Sequence, residues 1–319
     1  MKPFSFYNPK TLDEAVTLLK GNVDAAVLAA GTELLHTMKQ NSLPKQPLAL
    51  VNLKSISGLS YIKEEGGTLK IGPTTKLVDI ANNTTITDGY RALSMAASHV
   101  ASPLIRNMGT IAGNLLQDVW CWYYKASDNN FNCIRKGGAI CYAQAGDNRY
   151  YHSIFGGPRG CYAVHPSDTA VALVALNASV VTTTRTIPIQ QLFQELAPGH
   201  TLTSGEIVKE VQVPTPASGS KSAFMKVAMR DSIDFAIASA GVWYTPATGA
   251  VSDVRIALGG VYLTPRRATG AETYLKGKAV DATSADGAGA AAVADATPMS
   301  VNAFKKQLAA TMVKRALLA

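Results

Sequence analysis

The chain has 319 residues, 47% of them hydrophobic and 16% charged, which is enough apolar material for two or three packed domains and rules out a disordered chain. Its net charge of +8 comes from basic residues scattered as pairs, such as Arg135–Lys136, Arg266–Arg267 and Lys314–Arg315. With no basic stripe interleaved with aromatics, the pattern speaks against nucleic acid and for a solvated surface that docks a more acidic partner.

In chain order, TLDEAVTLLK (11–20) carries apolar residues at helical spacing, with Thr11 as its cap. AAVLAAG (25–31) reads as a buried strand ending in glycine, and GTELLHTMKQ (31–40) as the start of a second helix. LALVNLKSI (48–56) and LKIGPTTKL (69–77) read as strands, and RALSMAASHV (91–100) as a helix. Two turns, AAGTELL (29–35) and GTIAGNLLQ (109–117), place glycine and a small hydroxyl residue where a helix begins. Backbone N–H groups at such a turn suit a pyrophosphate, although neither turn is a G-x-G-x-x-G fingerprint or a Walker loop.

All four cysteines then fall between residues 121 and 161, spaced C-x11-C-x7-C-x19-C. A disulfide framework serves small exported domains that lack a core, and MKPFSFYNPKTLDEAV has no apolar signal region, so reduced thiols gathered on a metal are expected. Paired C-x2–4-C knuckles, the usual mark of zinc, are absent. The long spacings suit an iron–sulfur cubane, and on spacing alone both metals stay open. Gly137 and Gly138 permit sharp turns between these cysteines, and Arg135 and Lys136 offer charge to offset a cluster. Trp120, Trp122, Tyr123 and Tyr124 read as packing, and His152 and His165 as structural.

HPSDTAVALVALNASVV (165–181) reads as a helix capped by Ser167 or Asp168, followed by a strand. Its apolar run is too short to cross a bilayer. Beyond residue 185 the texture changes to strands at 206–214, 222–229, 236–244 and 251–261, which places a domain boundary near 182–186. The Ala/Gly/Asp-rich stretch 277–298 reads as a loose loop or a weak helix.

Five ordered segments carry a family resemblance: AAGTELLHTMKQ, NMGTIAGNLLQ, HPSDTAVALVALNA, FMKVAMRDSIDFAIASAGV and IALGGVYLTPRRATGAETYLKGK. Together they resemble the FAD-binding medium subunit of molybdenum hydroxylases, the group of xanthine dehydrogenases, aldehyde oxidoreductases, carbon monoxide dehydrogenases and 4-hydroxybenzoyl-CoA reductase. The resemblance implies an α+β chain. Its FAD-binding fold would be vanillyl-alcohol-oxidase-like (PCMH-type), with two subdomains at 1–57 and 58–184. A C-terminal α+β domain at 185–319 would follow, as in the CO dehydrogenase flavoprotein.

By that resemblance Ala29, Ala30, Gly31, Thr32, Glu33 and Leu34 wrap the FAD pyrophosphate. Thr110, Ala112, Gly113 and Asn114 form the second flavin loop, Ser167 and Asp168 add polar contacts, and Lys226 lies near the flavin ring. Ala30 and Ala112 stand where the family has glycine, so their φ is expected below zero. The insertion at about 118–163 resembles that of the periplasmic-type aldehyde oxidoreductases, which implies a 4Fe-4S cluster on Cys121, Cys133, Cys141 and Cys161.

No nucleophile–base–acid constellation is legible, so no catalytic residue is expected and the cofactors would carry the chemistry. The resemblance implies a large molybdenum-cofactor subunit, a small subunit with two 2Fe-2S clusters and an external electron acceptor. The substrate, an aldehyde or (hetero)aromatic compound, would bind on another chain. Electrons would run from molybdenum to FAD, or in reverse as in 4-hydroxybenzoyl-CoA reductase. A cytoplasmic place is expected, or a periplasmic one through a partner's export signal, without membrane insertion or nucleic acid. Two other readings stay open: a non-redox interaction subunit with a structural Zn(Cys)4 loop, and a self-sufficient FAD oxidase, for which no covalent-flavin histidine motif is present.

Overall fold

The computed structural model describes residues 1–247 and 249–319. The N-terminal unit is a parallel three-stranded sheet, β1 (Ser5–Tyr7), β2 (Ala25–Leu28) and β3 (Ala49–Asn52), in the order β1-β3-β2. Parallel strands need crossovers, and the helices Leu12–Gly21 and Leu34–Lys39 supply them. Thr11 Oγ1 accepts from Glu14 N at 3.1 Å as the expected cap, a contribution of about 1 kcal/mol.

The second unit is a five-stranded sheet ordered β4-β5-β8-β6-β7. Its strands are β4 (Ile62–Glu65), β5 (Thr68–Ile71), β6 (Ser179–Thr182), β7 (Thr186–Pro188) and β8 (Val208–Pro214). The sheet therefore does not stop at residue 184. β8 is its central strand, with Ile71 opposite Val211 and Val180 opposite the same residue on the other side. β8 lies beyond the 184/185 division expected from the sequence, because an antiparallel partner more than a hundred residues away places it in this sheet.

The third unit packs an antiparallel sheet, ordered β12-β11-β10-β9, against helices Thr269–Leu275, Ala282–Ala292 and Phe304–Leu318. Its strands are β9 (Lys221–Val227), β10 (Ala238–Ala247), β11 (Ala250–Gly259) and β12 (Arg266–Arg267). The stretch 277–298, expected as a loose loop or a weak helix, holds the regular helix Ala282–Ala292. Asp281 accepts from Ser284 N while Ser284 Oγ accepts from Asp281 N, a reciprocal cap at its start.

The helix Asp168–Ala175, capped by Ser167, joins the second and third units. All eight of its residues are buried, as a helix apolar on every side must be. It reaches the β10–β11 sheet because Gly259 has no side chain: a Cβ there would lie 2.4 Å from Val171 Cγ2. No helix among the described residues is long and apolar enough to cross a membrane.

Glu206 pins the loop between β7 and β8. It accepts from Thr182 Oγ1 at 2.7 Å, Thr184 Oγ1 at 2.9 Å, Thr203 N at 2.9 Å and Arg185 Nε at 3.0 Å. Burial pushes its carboxyl up, but these donors outweigh burial and hold it well below the usual carboxylate range. The stability this adds is present above the unfolded-state value of 4.5 and is lost as pH falls from there toward the lower folded value. Glu206→Gln is expected to cost about 2 kcal/mol at pH 7 and to flatten the acid limb of stability against pH. Urea melts from pH 7 to pH 3 check this, and an unchanged limb would remove Glu206 as its source.

Candidate functional site

The two glycine turns meet. A Cβ on Gly109 would stand 3.9 Å from Thr32 Oγ1, and Leu77 N donates to Gly109 O at 2.9 Å beneath them. Gly31 has φ +75°, a conformation L side chains rarely adopt, and a Cβ on it would come within 2.7 Å of Leu35 Cδ1. Leu35 N donates back to Gly31 O, so the N–H groups of Thr32, Glu33 and Leu34 precede the first helical bond. Neither Ala30 nor Ala112 has a positive φ, as their side chains require.

The second turn differs from the first. Ile111 N and Ala112 N donate to Thr75 O and Pro73 O, and Gly113 N and Asn114 N to Thr110. Its backbone donors are therefore committed to the protein, and side chains are left to meet a ligand. Asn114 Oδ1 accepts from Ser167 Oγ at 2.6 Å and Thr169 Oγ1 at 2.5 Å, which draws the 165–169 segment against this turn.

Asp168 and Lys226 form an ion pair at 2.7 Å, 5% and 6% exposed, and Lys226 also donates to His99 O at 2.9 Å. Burial pushes the Asp168 carboxyl up and Lys226 opposes it. Lys226 thus holds Asp168 in place of standing free. A cavity of about 390 Å³ beside Asn41–Gln46 and Asn129 is lined by none of the expected flavin or cluster residues.

The insertion is irregular chain interrupted by short turns at Ser127–Asn129, Ile134–Lys136, Tyr142–Gln144 and Pro158–Gly160. A two-residue pairing of Trp120 with Val164 closes its neck. Gly137, at φ +90°, makes the turn expected between Cys133 and Cys141. All four cysteines are free thiols.

Cys121, Cys133 and Cys161 share one apolar cluster with Val119, Tyr124, Ala163 and Leu263. Burial pushes the Cys121 thiol up to about 12, and charge on Cys161 and Cys141 adds to the effect. Cys161 is also raised, by burial first and then by Cys141 and Cys133. Among the described residues, no three His, Cys, Asp or Glu side chains are arranged to hold a single metal ion.

Several pairings in and around the insertion were not legible in the sequence. Arg135, 3% exposed, bonds Asp118 at 3.1 Å and Glu195 O at 3.1 Å, crosses the Tyr124 ring and leaves its buried Nε without a partner. Lys125 of the insertion pairs with Glu33 of the first glycine turn at 2.5 Å. His152 is fully buried with Nε2 3.2 Å from Cys121 Sγ, whereas His165 packs against Phe193. Trp122 stacks edge-on with Tyr123, Tyr150, Tyr151 and His152, the packing its sequence suggested.

Residues 2–216 match the family described as the FAD binding domain in molybdopterin dehydrogenase, and residues 223–319 match the CO dehydrogenase flavoprotein C-terminal domain. The chain belongs to this family of FAD-binding subunits and to its oxidoreductase class. It is 34% identical over 327 residues to the aldehyde oxidoreductase FAD-binding subunit PaoB of Escherichia coli K12, covering 97% of this chain and 95% of that one. It is 30% identical over 320 residues to the carbon monoxide dehydrogenase medium chain of Hydrogenophaga pseudoflava, covering 98% and 96%. The structure of the Hydrogenophaga pseudoflava enzyme lacking the Mo-pyranopterin moiety superposes with a TM-score of 0.79 at 30% identity, over 100% of this chain and 97% of that one. The mixed α+β fold is that of the CO dehydrogenase flavoprotein.

Proposed function

We propose that this chain is the electron-transfer flavoprotein subunit of a molybdenum-dependent dehydrogenase. It would link 2Fe-2S centres of a small partner subunit, FAD, its own 4Fe-4S cluster and an external acceptor. A large partner subunit would hold the molybdenum cofactor and oxidise an aldehyde or (hetero)aromatic substrate. What supports the cluster is four free thiols within residues 121–161, three of them in one apolar cluster, with the buried Arg135 guanidinium and its spare donor nearby. The 34% identity to an aldehyde oxidoreductase FAD-binding subunit favours the aldehyde.

The residues supply the kinds of donor that both groups take. Thr32, Glu33 and Leu34 would present backbone N–H groups to a pyrophosphate, and Ala29, Ala30 and Gly31 would let it approach. Thr110, Ala112 and Gly113 would form the opposite lip, with the Nδ2 donors of Asn114 free once Oδ1 is committed. Ser167 fixes that amide, and the Asp168–Lys226 pair forms a rigid charged wall. The insertion would hold the cluster through Cys121, Cys133, Cys141 and Cys161, keep water away with its aromatics, and offset negative charge through Arg135 and Lys136. Bound flavin exchanges two electrons at a time or singly, which suits a junction with one-electron centres.

Anaerobic purification with a visible spectrum and iron, sulfide, zinc and flavin assays tests the reading. Flavin bands over broad iron–sulfur absorption support it. Zinc without colour would instead favour the structural Zn(Cys)4 loop of an interaction subunit. Gly31→Val, strained at its positive φ, is expected to lower flavin affinity about tenfold with the circular dichroism unchanged. Flavin per chain after gel filtration measures this, and full retention would take the turn out of the site.

A further inference from the structure

We propose that Lys125, carried by the cysteine-bearing insertion, neutralises the Glu33 carboxylate at the first glycine turn, so that the insertion sets how tightly this turn takes the diphosphate of FAD. The inference rests on the reading above that puts the diphosphate at residues 29–34, within the matched FAD-binding domain. It does not depend on what the four cysteines hold.

The turn offers donors to an anion. Among the described residues, the backbone N–H groups of Thr32, Glu33 and Leu34 donate to no protein acceptor, and the next, Leu35 N, bonds Gly31 O at 3.0 Å. Successive unpaired N–H groups favour a phosphate. The one charged side chain between residues 29 and 34 is Glu33, and its carboxylate lies no further from those N–H groups than its own side chain reaches. Left bare, that charge would repel a diphosphate.

Lys125 supplies the opposite charge from the insertion. Its Nζ lies 2.5 Å from Glu33 Oε1, and its side chain is 6% exposed against 29% for Glu33. Lys125 N donates to Cys121 O at 2.8 Å, which fixes the base of the side chain. Two more contacts lay the insertion along the helix Leu34–Lys39 that follows the turn. Asp128 N donates to Gln40 O at 2.9 Å, and Asn129 Nδ2 to Leu43 O at 3.0 Å. The neighbouring cations are committed elsewhere: Lys136 Nζ donates to Asn129 Oδ1 at 2.7 Å, and Arg135 bonds Asp118 at 3.1 Å. Among the described residues, Lys125 is therefore the insertion's one cation paired with Glu33.

Lys125 acts through Glu33, as a positioning residue. A plain clamp would lose as much from removing both charges as from removing one. A charge shield loses only when the carboxylate is left alone, and regains affinity when the carboxylate goes too.

The test measures the FAD affinity of the full-length protein, stripped of flavin, through the quenching of FAD fluorescence. Wild type is compared with Lys125→Gln and with Lys125→Gln combined with Glu33→Gln. Glutamine at 125 keeps a donor for Glu33 Oε1 and removes the charge, and circular dichroism checks each fold. Lys125→Gln is expected to raise the FAD Kd about tenfold at low salt, and added salt should shrink that deficit by screening. The second change is expected to recover most of the loss.

Wild-type affinity in Lys125→Gln overturns the inference. A double variant as weak as the single one also overturns it, because Lys125 would then only clamp the insertion. Glu33→Gln alone decides the matter if Lys125→Gln does not fold. It leaves the Lys125 charge beside the turn and is expected to tighten FAD about threefold, and no tightening overturns the inference. Wild-type protein that takes up no FAD would sink the flavin reading itself, a different failure.

Discussion

Cys133→Ser, purified without oxygen, is expected to lose most of its iron–sulfur absorption while its flavin bands persist. Iron should fall from about four per chain to below three. Cys133 is 6% exposed, at the bend where Lys136 N and Gly138 N both donate to its carbonyl, so its direction is fixed by backbone and a serine would point the same way. What changes is the donor. A serine hydroxyl is harder and far less readily deprotonated than a thiol, and iron–sulfur clusters select soft thiolate. Were Cys133 merely a packed thiol, the same change would leave metal content untouched and cost about 1 kcal/mol of stability. The flavin turns lie outside the replaced bend, so flavin content serves as the internal control. Unchanged iron in the variant would remove Cys133 from the ligand set.

Lys305→Met is expected to destabilise the protein by about 3 kcal/mol and to speed amide exchange over residues 150–154. The side chain is entirely buried, and its ammonium meets three backbone carbonyls within 2.8 Å. Burial drives the ammonium well below its ordinary value, but three acceptors require three N–H donors, which only the charged form supplies. Methionine keeps the stem's volume and removes the head, so the loss reports the unsatisfied carbonyls and not a cavity. Urea melts measure the first effect and hydrogen exchange the second. A variant that melts with the wild type would mean the head group does nothing for the fold.

The features written in adjacent residues were legible in the sequence. Thr11 and Ser167 cap the helices they precede, the run from Asp168 buries on every side, and the glycine turns and the four cysteines stand out by type and spacing. The pairings across distance were not. The change of texture after residue 185 suggested a new domain, yet β8 lies between β5 and β6 because Val211 faces both Ile71 and Val180. The Ala/Gly-rich helix looked loose because small residues lack an apolar stripe. Its smallness lets it touch its neighbour, since a Cβ on Gly289 would lie 2.5 Å from Ala310 O. Nothing local marks Lys305, which sits in FKKQLAATMVKRALL among other cations, or tells His152 from His165.

Three contacts fasten the insertion to the N-terminal sheet unit: Lys125 to Glu33, Asp128 N to Gln40 O, and Asn129 Nδ2 to Leu43 O. At its other rim Arg135 reaches Glu195, beyond β7, and Lys305 grips Tyr150 and His152 from the last helix. The loop therefore works as a buckle. It fixes the aperture between the two lobes that flank the glycine turns, and shortening it would let them rock apart although every strand kept its partner.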